Sequence, residues 1–179
     1  MNSLAEIAQT SVVVSATHGV TLRRETTADA RAIDALVDRA FGPGRFAKTA
    51  ERLRELNNKL DALCFCAMDE SRLAGSVRLW PVLIGDQRVV FLGPIAVDPA
   101  YRSQGLGADL VRMACDAARA QGERAILLVG EGSFFQPLGF SPTPPDLVEL
   151  PGPVDRRRVF WMGLQPDALG GLSGAVTRP

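Results

Sequence analysis

Residues 102–107 read Arg102-Ser103-Gln104-Gly105-Leu106-Gly107, two glycines beside a basic and an amide side chain. Downstream, Leu106, Leu110, Ala114 and Ala117 recur at helical spacing. Asp109, Arg112, Asp116 and Arg119 fall three and four apart on the other face. The loop therefore leads into a helix. A helix start leaves its first N–H groups without partners and carries about half a positive charge. Gly105 and Gly107 remove the side chains that would hold an anion away from those N–H groups. Main-chain donors of Ser103, Gln104, Gly105, Leu106, Gly107 and Ala108, with Arg102 beside them, suit a phosphate or pyrophosphate. Glycine spacing alone serves equally as a tightly packed strand-to-helix turn.

The elements that must position this loop are legible around it. Residues 89–97 are rich in β-branched side chains and read as a buried strand, stopped by Asp98-Pro99. The spacing predicts a helix over 106–121 and a second strand over 124–129. A crossover of that length makes the two strands parallel. Gly93-Pro94 interrupts the first strand, because proline offers no donor to a ladder. A bulge there would part the two strands and open a slot between them; otherwise the dipeptide only marks a strand edge or an irregular entry.

Earlier residues predict a strand over 20–24, a capped start at Thr26-x-x-Asp29 and a helix face of Ile33, Leu36, Val37, Ala40 and Phe41 ended by Gly42-Pro43-Gly44. Alternating charges over 47–57, with Leu53 and Leu56 inward, predict an exposed second helix. Strands over 62–68, 73–84 and 88–97 are joined by tight turns and so antiparallel. Later, 147–150 and 158–164 can pair as a hairpin around Pro151-Gly152-Pro153. Residues 1–18 read as a flexible leader, 19–165 as one domain and 166–179 as a loose tail.

The stretch from Gly93 to Gly107 resembles the acyl-CoA loop of the GNAT acetyltransferases, Arg/Gln-x-x-Gly-x-Gly/Ala, here Arg102-x-x-Gly105-x-Gly107. A second block, Phe134-Phe135-Gln136-Pro137-Leu138-Gly139-Phe140, resembles that family's aromatic–aromatic–x-x-x-Gly-Phe segment. The likeness covers about residues 20–165. It implies an α/β (α+β) fold: a mixed, mostly antiparallel sheet of about seven strands with a central splayed parallel pair, flanked by about four helices. It implies acetyl-CoA as acyl donor, with Ile95, Ala96 and Val97 along the pantetheine arm and Phe134 and Phe135 lining the thioester pocket. The implied reaction is direct attack of an amine on the thioester. Family members often carry a tyrosine in the aromatic pair to protonate the departing thiolate. Here the pair is Phe134-Phe135, so Ser133 is the nearest hydroxyl, unless it is a helix-start serine. Glu131 is placed to take the amine's proton through water, or simply to favour a helix N-terminus. The first two helices border the family's acceptor cleft, which makes Arg45 and Arg52 candidates for substrate contact.

The 179 residues carry 20 Lys+Arg against 20 Asp+Glu, so no basic excess points to nucleic acid. No apolar run is long enough to span a membrane. Three cysteines without a Cys-x-x-Cys, and His18 as the single histidine, predict buried thiols in a reducing cytoplasm and no metal. The expected partners are acyl-CoA and an unidentified small-molecule or protein amine, in a monomer or homodimer. Longer-chain acyl-CoA or acyl-carrier-protein donors, and a non-catalytic acyl-CoA-binding module, are the alternatives. A Rossmann-type dinucleotide site is a third alternative that fits the loop poorly, because it needs Gly-x-Gly-x-x-Gly and the loop has only Gly105-x-Gly107 after Arg102.

Overall fold

A computed structural model describes residues 19–179; the expected leader, and His18 with it, lies outside the described residues. Four strands pair in sequence order, each antiparallel to the last: β1 (Thr21–Arg24), β2 (Phe65–Asp69), β3 (Arg72–Ile84) and β4 (Gln87–Val97). Between β1 and β2 lie α1 (Ala30–Phe41) and the single-turn α2 (Thr49–Arg52). A long helix, α3 (Leu106–Ala120), crosses over to β5 (Ala125–Val129), which lies parallel to β4. After the one-turn α4 (Gly132–Phe135) come β6 (Ser141–Pro142), β7 (Val148–Glu149), β8 (Val159–Gly163) and β9 (Gly174–Thr177). The main path runs β1-β2-β3-β4-β5-β8-β6, with β9 pairing both β3 and β7. The mixed sheet with a central parallel pair is as expected, with nine strands among the described residues rather than about seven.

The bulge expected at Gly93-Pro94 is present. Val77 pairs Ile95 and Leu79 pairs Leu92, so Gly93 and Pro94 together face the single residue Arg78. The inserted residue reverses the alternation of β4. Before it, Val90 and Leu92 pack toward α3; after it, Ile95 and Val97 do, and Ala96 turns to the opposite face. On the α3 face, Leu106, Leu110, Val111 and Ala114 close over Leu79, Ile126 and Leu128. On the other face, Ile33, Leu36 and Val37 of α1 cover Cys66 and Ala96, while Phe91, Leu127 and Trp161 form a separate cluster.

A buried ion pair ties the first half together. Arg78 donates to Glu25 at 2.9 and 2.8 Å and to Asp34 of α1 at 2.8 Å. The Glu25 side chain is only 1% exposed, so the pairing is obligatory. At the start of α1, Asp29 accepts from the Thr26 N–H at 2.8 Å and from Arg23 at 2.7 and 2.8 Å. Arg23 first, then Thr26, hold the Asp29 carboxyl well below the usual carboxylate range despite partial burial.

Three expectations are corrected. The second helix stops at Arg52, and Leu56 is 96% exposed with φ 55° instead of inward. The chain turns there because the Asn57 amide donates back to Leu53 O at 3.0 Å and to Pro81 O at 2.9 Å. No hairpin joins 147–150 to 158–164: both edges of β8 are taken, by β5 and β6, so β7 pairs β9. Residues 166–179 are not loose. Leu172 and Val176 are buried, and Arg124 donates to Ala168 O at 2.7 Å and to Gly170 O at 2.5 Å.

Deleting residues 172–179 should therefore lower the unfolding free energy by about 3–5 kcal/mol, two buried aliphatic side chains plus a short ladder, read as a shifted urea midpoint. A loose tail would leave the midpoint in place. Because the Asp29 carboxyl is depressed in the folded state, its stabilisation is present above about pH 4 and is lost as pH falls through the folded value. The stability difference between the wild type and Asp29→Asn should shrink on acidification below about pH 4, followed by chemical denaturation at several pH values.

Candidate acyl-donor and acceptor site

The β4–β5 ladder is short. Only Val90 with Ile126 and Phe91 with Leu127 are paired, and the strands part beyond them. β5 stays zipped to β8 as far as Val129 with Val159. β4 stays zipped to β3 as far as Gly75 with Val97. The gap therefore opens on one side of each strand only. The Asp98 N–H donates to Ala74 O at 2.9 Å, toward β3. By alternation along an extended strand, Ala96 also turns its N–H to β3, and Ile95 and Val97 turn theirs into the gap. Of the three strand residues expected along the donor, Ile95 and Val97 turn their N–H groups to the gap, and Ala96 does not.

At the end of that gap lies the loop. Gly105 caps α3 with φ 82°, a left-handed value that suits glycine, and Ser103 has φ 62°. The Asp109 N–H donates to Gly105 O at 3.1 Å as the first helical bond. The N–H groups of Leu106, Gly107 and Ala108 therefore have no carbonyl one turn back. Nothing lies within 4 Å of where a Gly105 Cβ would be, so the approach is open. Gln104 donates to Ala100 O at 3.2 Å and Arg102 to Val97 O at 3.4 Å, both on an exposed surface. Phe134, 37% exposed, stands 3.4 Å from a Cβ position on Gly107, so its ring borders the loop. Tyr101 is turned away and donates to Asp69.

The gap widens into a cavity of about 560 Å³. Its walls are the bulge at Gly93-Pro94, the ends of α1 and β5, the α2 segment and residues 153–158. Glu131 lines it, 69% exposed at the side chain and 2.9 Å from Arg158. Phe135 lines it too but is only 5% exposed, packed edge-on between Phe134 and Phe140 at ring distances of 4.8 and 5.6 Å. Ser133 is not part of the cavity wall, since Phe134 and Phe135 take the inward directions of that turn. Arg45 lines it, and Arg52 does not; Arg52 donates to Pro151 O at 2.8 Å elsewhere.

Sequence reasoning missed Arg54, which lines the cavity beside the bulge. Its guanidinium donates to Glu51 at 3.0 Å, and Glu51 also accepts from Arg45 at 3.2 Å. The Arg54 Nε is buried with no partner among the described residues, which costs about 1–3 kcal/mol. Burial pushes the guanidinium down to about 10, against the raising effect of Glu51. The available signal was Glu51-x-x-Arg54, a helical i,i+3 ion pair.

Burial pushes the thiols of Cys64, Cys66 and Cys115 up to about 11, 12 and 12. None of them lines the cavity, so no activated thiolate stands there. Among the described residues no group of three or more His, Cys, Asp or Glu is placed to hold a metal ion, and no helix is long and apolar enough to cross a membrane.

A parted parallel pair above a glycine-bearing helix start matches a known architecture. The model of the acetyltransferase (GNAT) family matches residues 30–140. The chain belongs to the GNAT acetyltransferase family. The uncharacterized N-acetyltransferase YhbS of Escherichia coli (strain K12) is 32% identical over 166 residues, 87% of this chain and 93% of that protein. The crystal structure of E. coli YhbS in complex with CoA superposes with TM-score 0.77 at 29% identity, covering 89% of each chain. A GNAT acetyltransferase from Brucella melitensis, solved with acetyl-CoA, shares the fold at TM-score 0.66 and 23% identity, covering 90% of this chain and 97% of that one.

One wall of the family's cleft depends here on a missing side chain. A Cβ on Gly130 would lie 2.2 Å from the Phe135 ring. That ring is held between two others and has nowhere to go. Gly130→Ala should cost about 1–3 kcal/mol in urea unfolding, and the near-ultraviolet dichroism of the phenylalanine cluster should change.

Proposed function

We propose that the protein is an acetyl-CoA-dependent N-acetyltransferase in which an amine attacks the acetyl thioester directly, both substrates being bound. The observation that carries this reading is the β4–β5 gap, which joins an open helix start at one end to a cavity of about 560 Å³ at the other. The pyrophosphate rests on the N–H groups of Ser103, Gln104, Gly105, Leu106, Gly107 and Ala108, with Arg102 adding charge. The pantetheine arm takes the place of the missing ladder and pairs with Ile95 and Val97. Phe134 packs on that arm, Phe135 backs the thioester pocket, and the thioester lies against Gly93-Pro94.

An amine at neutral pH is neutral only about one time in a thousand, a deficit of roughly 4–5 kcal/mol. Glu131, beside Arg158, draws that proton through water. The nitrogen lone pair then attacks the carbonyl carbon, the C–N bond forms and the C–S bond breaks. Coenzyme A leaves as a thiolate and is protonated, and the amide nitrogen loses its second proton. Ser133 relays a proton to the sulfur only through water, being off the cavity wall. A thiol of pKa about 8.5 is a tolerable leaving group, so a dedicated acid matters less than the base. The raised cysteine values favour direct attack over an acyl-enzyme route. An apolar cavity of about 560 Å³ also favours a second donor class, longer acyl-CoA, which a chain-length series separates from acetyl-CoA.

Calorimetry should show acetyl-CoA binding that Gly105→Glu weakens by at least about 100-fold, because the open approach then holds a carboxylate against the phosphates. A thiol-release assay should show Glu131→Gln lowering kcat by about 10–100-fold near pH 7, with recovery at higher pH, and Ser133→Ala lowering it by less than about tenfold. Binding without turnover of any amine would favour the non-catalytic module.

A further inference from the structure

Arg54 is poorly satisfied for a buried guanidinium. One of its nitrogens, Nη1, donates to Glu51, and that carboxylate is shared with Arg45. Asp38, which pairs with Arg45 at 2.9 Å, is on the exposed side of Arg45 and gives Arg54 nothing. The Nε is enclosed and orphaned. The remaining nitrogen, Nη2, has no hydrogen-bond partner among the described residues and stands 3.0 Å from where a Cβ on Gly93 would be. The side chain lines the cavity, at the bulge where β4 and β5 part. A surface arginine would meet water at that position. This one, 14% exposed at the side chain, is paired through Nη1 alone and lies 5.6 Å over the Phe91 ring, so Nε and Nη2 are left without hydrogen-bond partners among the described residues beside a cavity of mostly apolar wall.

We propose that Arg54 receives the carboxylate of the acceptor, and that the acceptor is an α-amino acid with an apolar side chain. This rests on the donor reading above, which puts the thioester against Gly93-Pro94. The argument is one of spacing. Arg54 abuts the same glycine that the thioester does, so an anion on Nη2 lies within a few ångströms of the carbon under attack. Only an acceptor whose amine and carboxylate are separated by one carbon or two spans that interval. Guanidinium is the cation whose planar donors match a carboxylate. Glu131, on the β5 side of the cavity and paired with Arg158, faces the ammonium; Arg45 and Lys48 also line the cavity, but Arg45 is taken by Asp38 and Glu51, and only Arg54 stands at the bulge. Val37, Phe41, Pro94 and Val129 supply apolar surface for the side chain. The reaction balances as amino acid plus acetyl-CoA giving the N-acetyl amino acid, free coenzyme A and one released proton.

The test is a thiol-release assay of the whole protein with acetyl-CoA against L-leucine, L-methionine and L-phenylalanine, their amides and the matching decarboxylated amines. The free acids should exceed the amides in kcat/KM by about 10–100-fold, the worth of a charged hydrogen bond in a water-poor site. In Arg54→Gln that ratio should fall toward one through KM, and Arg54→Lys should keep part of it. Equal turnover of acid and amide by the wild type overturns the proposal. So does a ratio unchanged in both variants, a fall in kcat alike for acid and amide, which would place Arg54 on the acyl group, or preference for a phosphate-bearing amine or a peptide N-terminus. Calorimetric binding of acetyl-CoA separates the two levels of the argument. Binding with no turnover of any amino acid overturns the acceptor assignment alone, and no binding overturns the donor reading beneath it. Should Arg54→Gln fail to fold, the wild-type ratio and Arg54→Lys decide.

Discussion

One extra residue in one strand governs this molecule. Gly93 and Pro94 together occupy the place opposite Arg78, and the parallel ladder between β4 and β5 ends two pairs after it begins. The bulge has two effects from one cause. It leaves the N–H groups of Ile95 and Val97 without a strand to pair with, and it reverses which side chains face α3. Buried main-chain donors without partners are costly. A ligand arm carrying amide groups is the natural partner for them.

Holding the bulge open needs support from both neighbours. On the β3 side, Arg78 anchors to Glu25 and Asp34, which locks the residue facing the insertion to the end of β1 and to α1. Trp80 donates to Gly93 O at 2.6 Å and satisfies the carbonyl that the insertion turns out of the ladder. On the far side, β5 is held by β8 along its whole length, so the gap cannot close by β5 swinging across. Gly130 then lets Phe135 pack against the chain as it leaves β5, which shapes the inner wall.

The electrostatics of the site follow from its enclosure. The helix start is open to solvent, and its donors suit a solvated, highly charged group. In the cavity Glu131 pairs with Arg158 at an exposed position, while the more deeply buried Glu51 is shared by Arg45 and Arg54. Chemistry that moves charge between a thioester and an amine is best served where such groups are held in place by packing before the substrate arrives.

What the sequence by itself determined is the strand, loop and helix from 89 to 120, with Gly93-Pro94 marked as a break that could be a bulge or a strand edge. Those features depend on neighbours in the chain: β-branched runs, a proline without a donor, glycines at a helix start, and a helical repeat of apolar residues. The second aromatic block was legible for the same reason, and it marked the departure from tyrosine at Phe134 and Phe135. Tertiary structure decided what depends on distant partners. Residues 166–179 have little periodicity, yet they are pinned by Arg124 and by a free edge of β3 that no local pattern announces. Arg45, Arg52 and Arg54 share one charged stretch, and only distant partners separate them: Arg54 lies over Phe91 and lines the cavity, while Arg52 donates to Pro151 O. Burial is a property of the surrounding chain, so a charge alternation that reads as solvated can hide a buried cation such as Arg54.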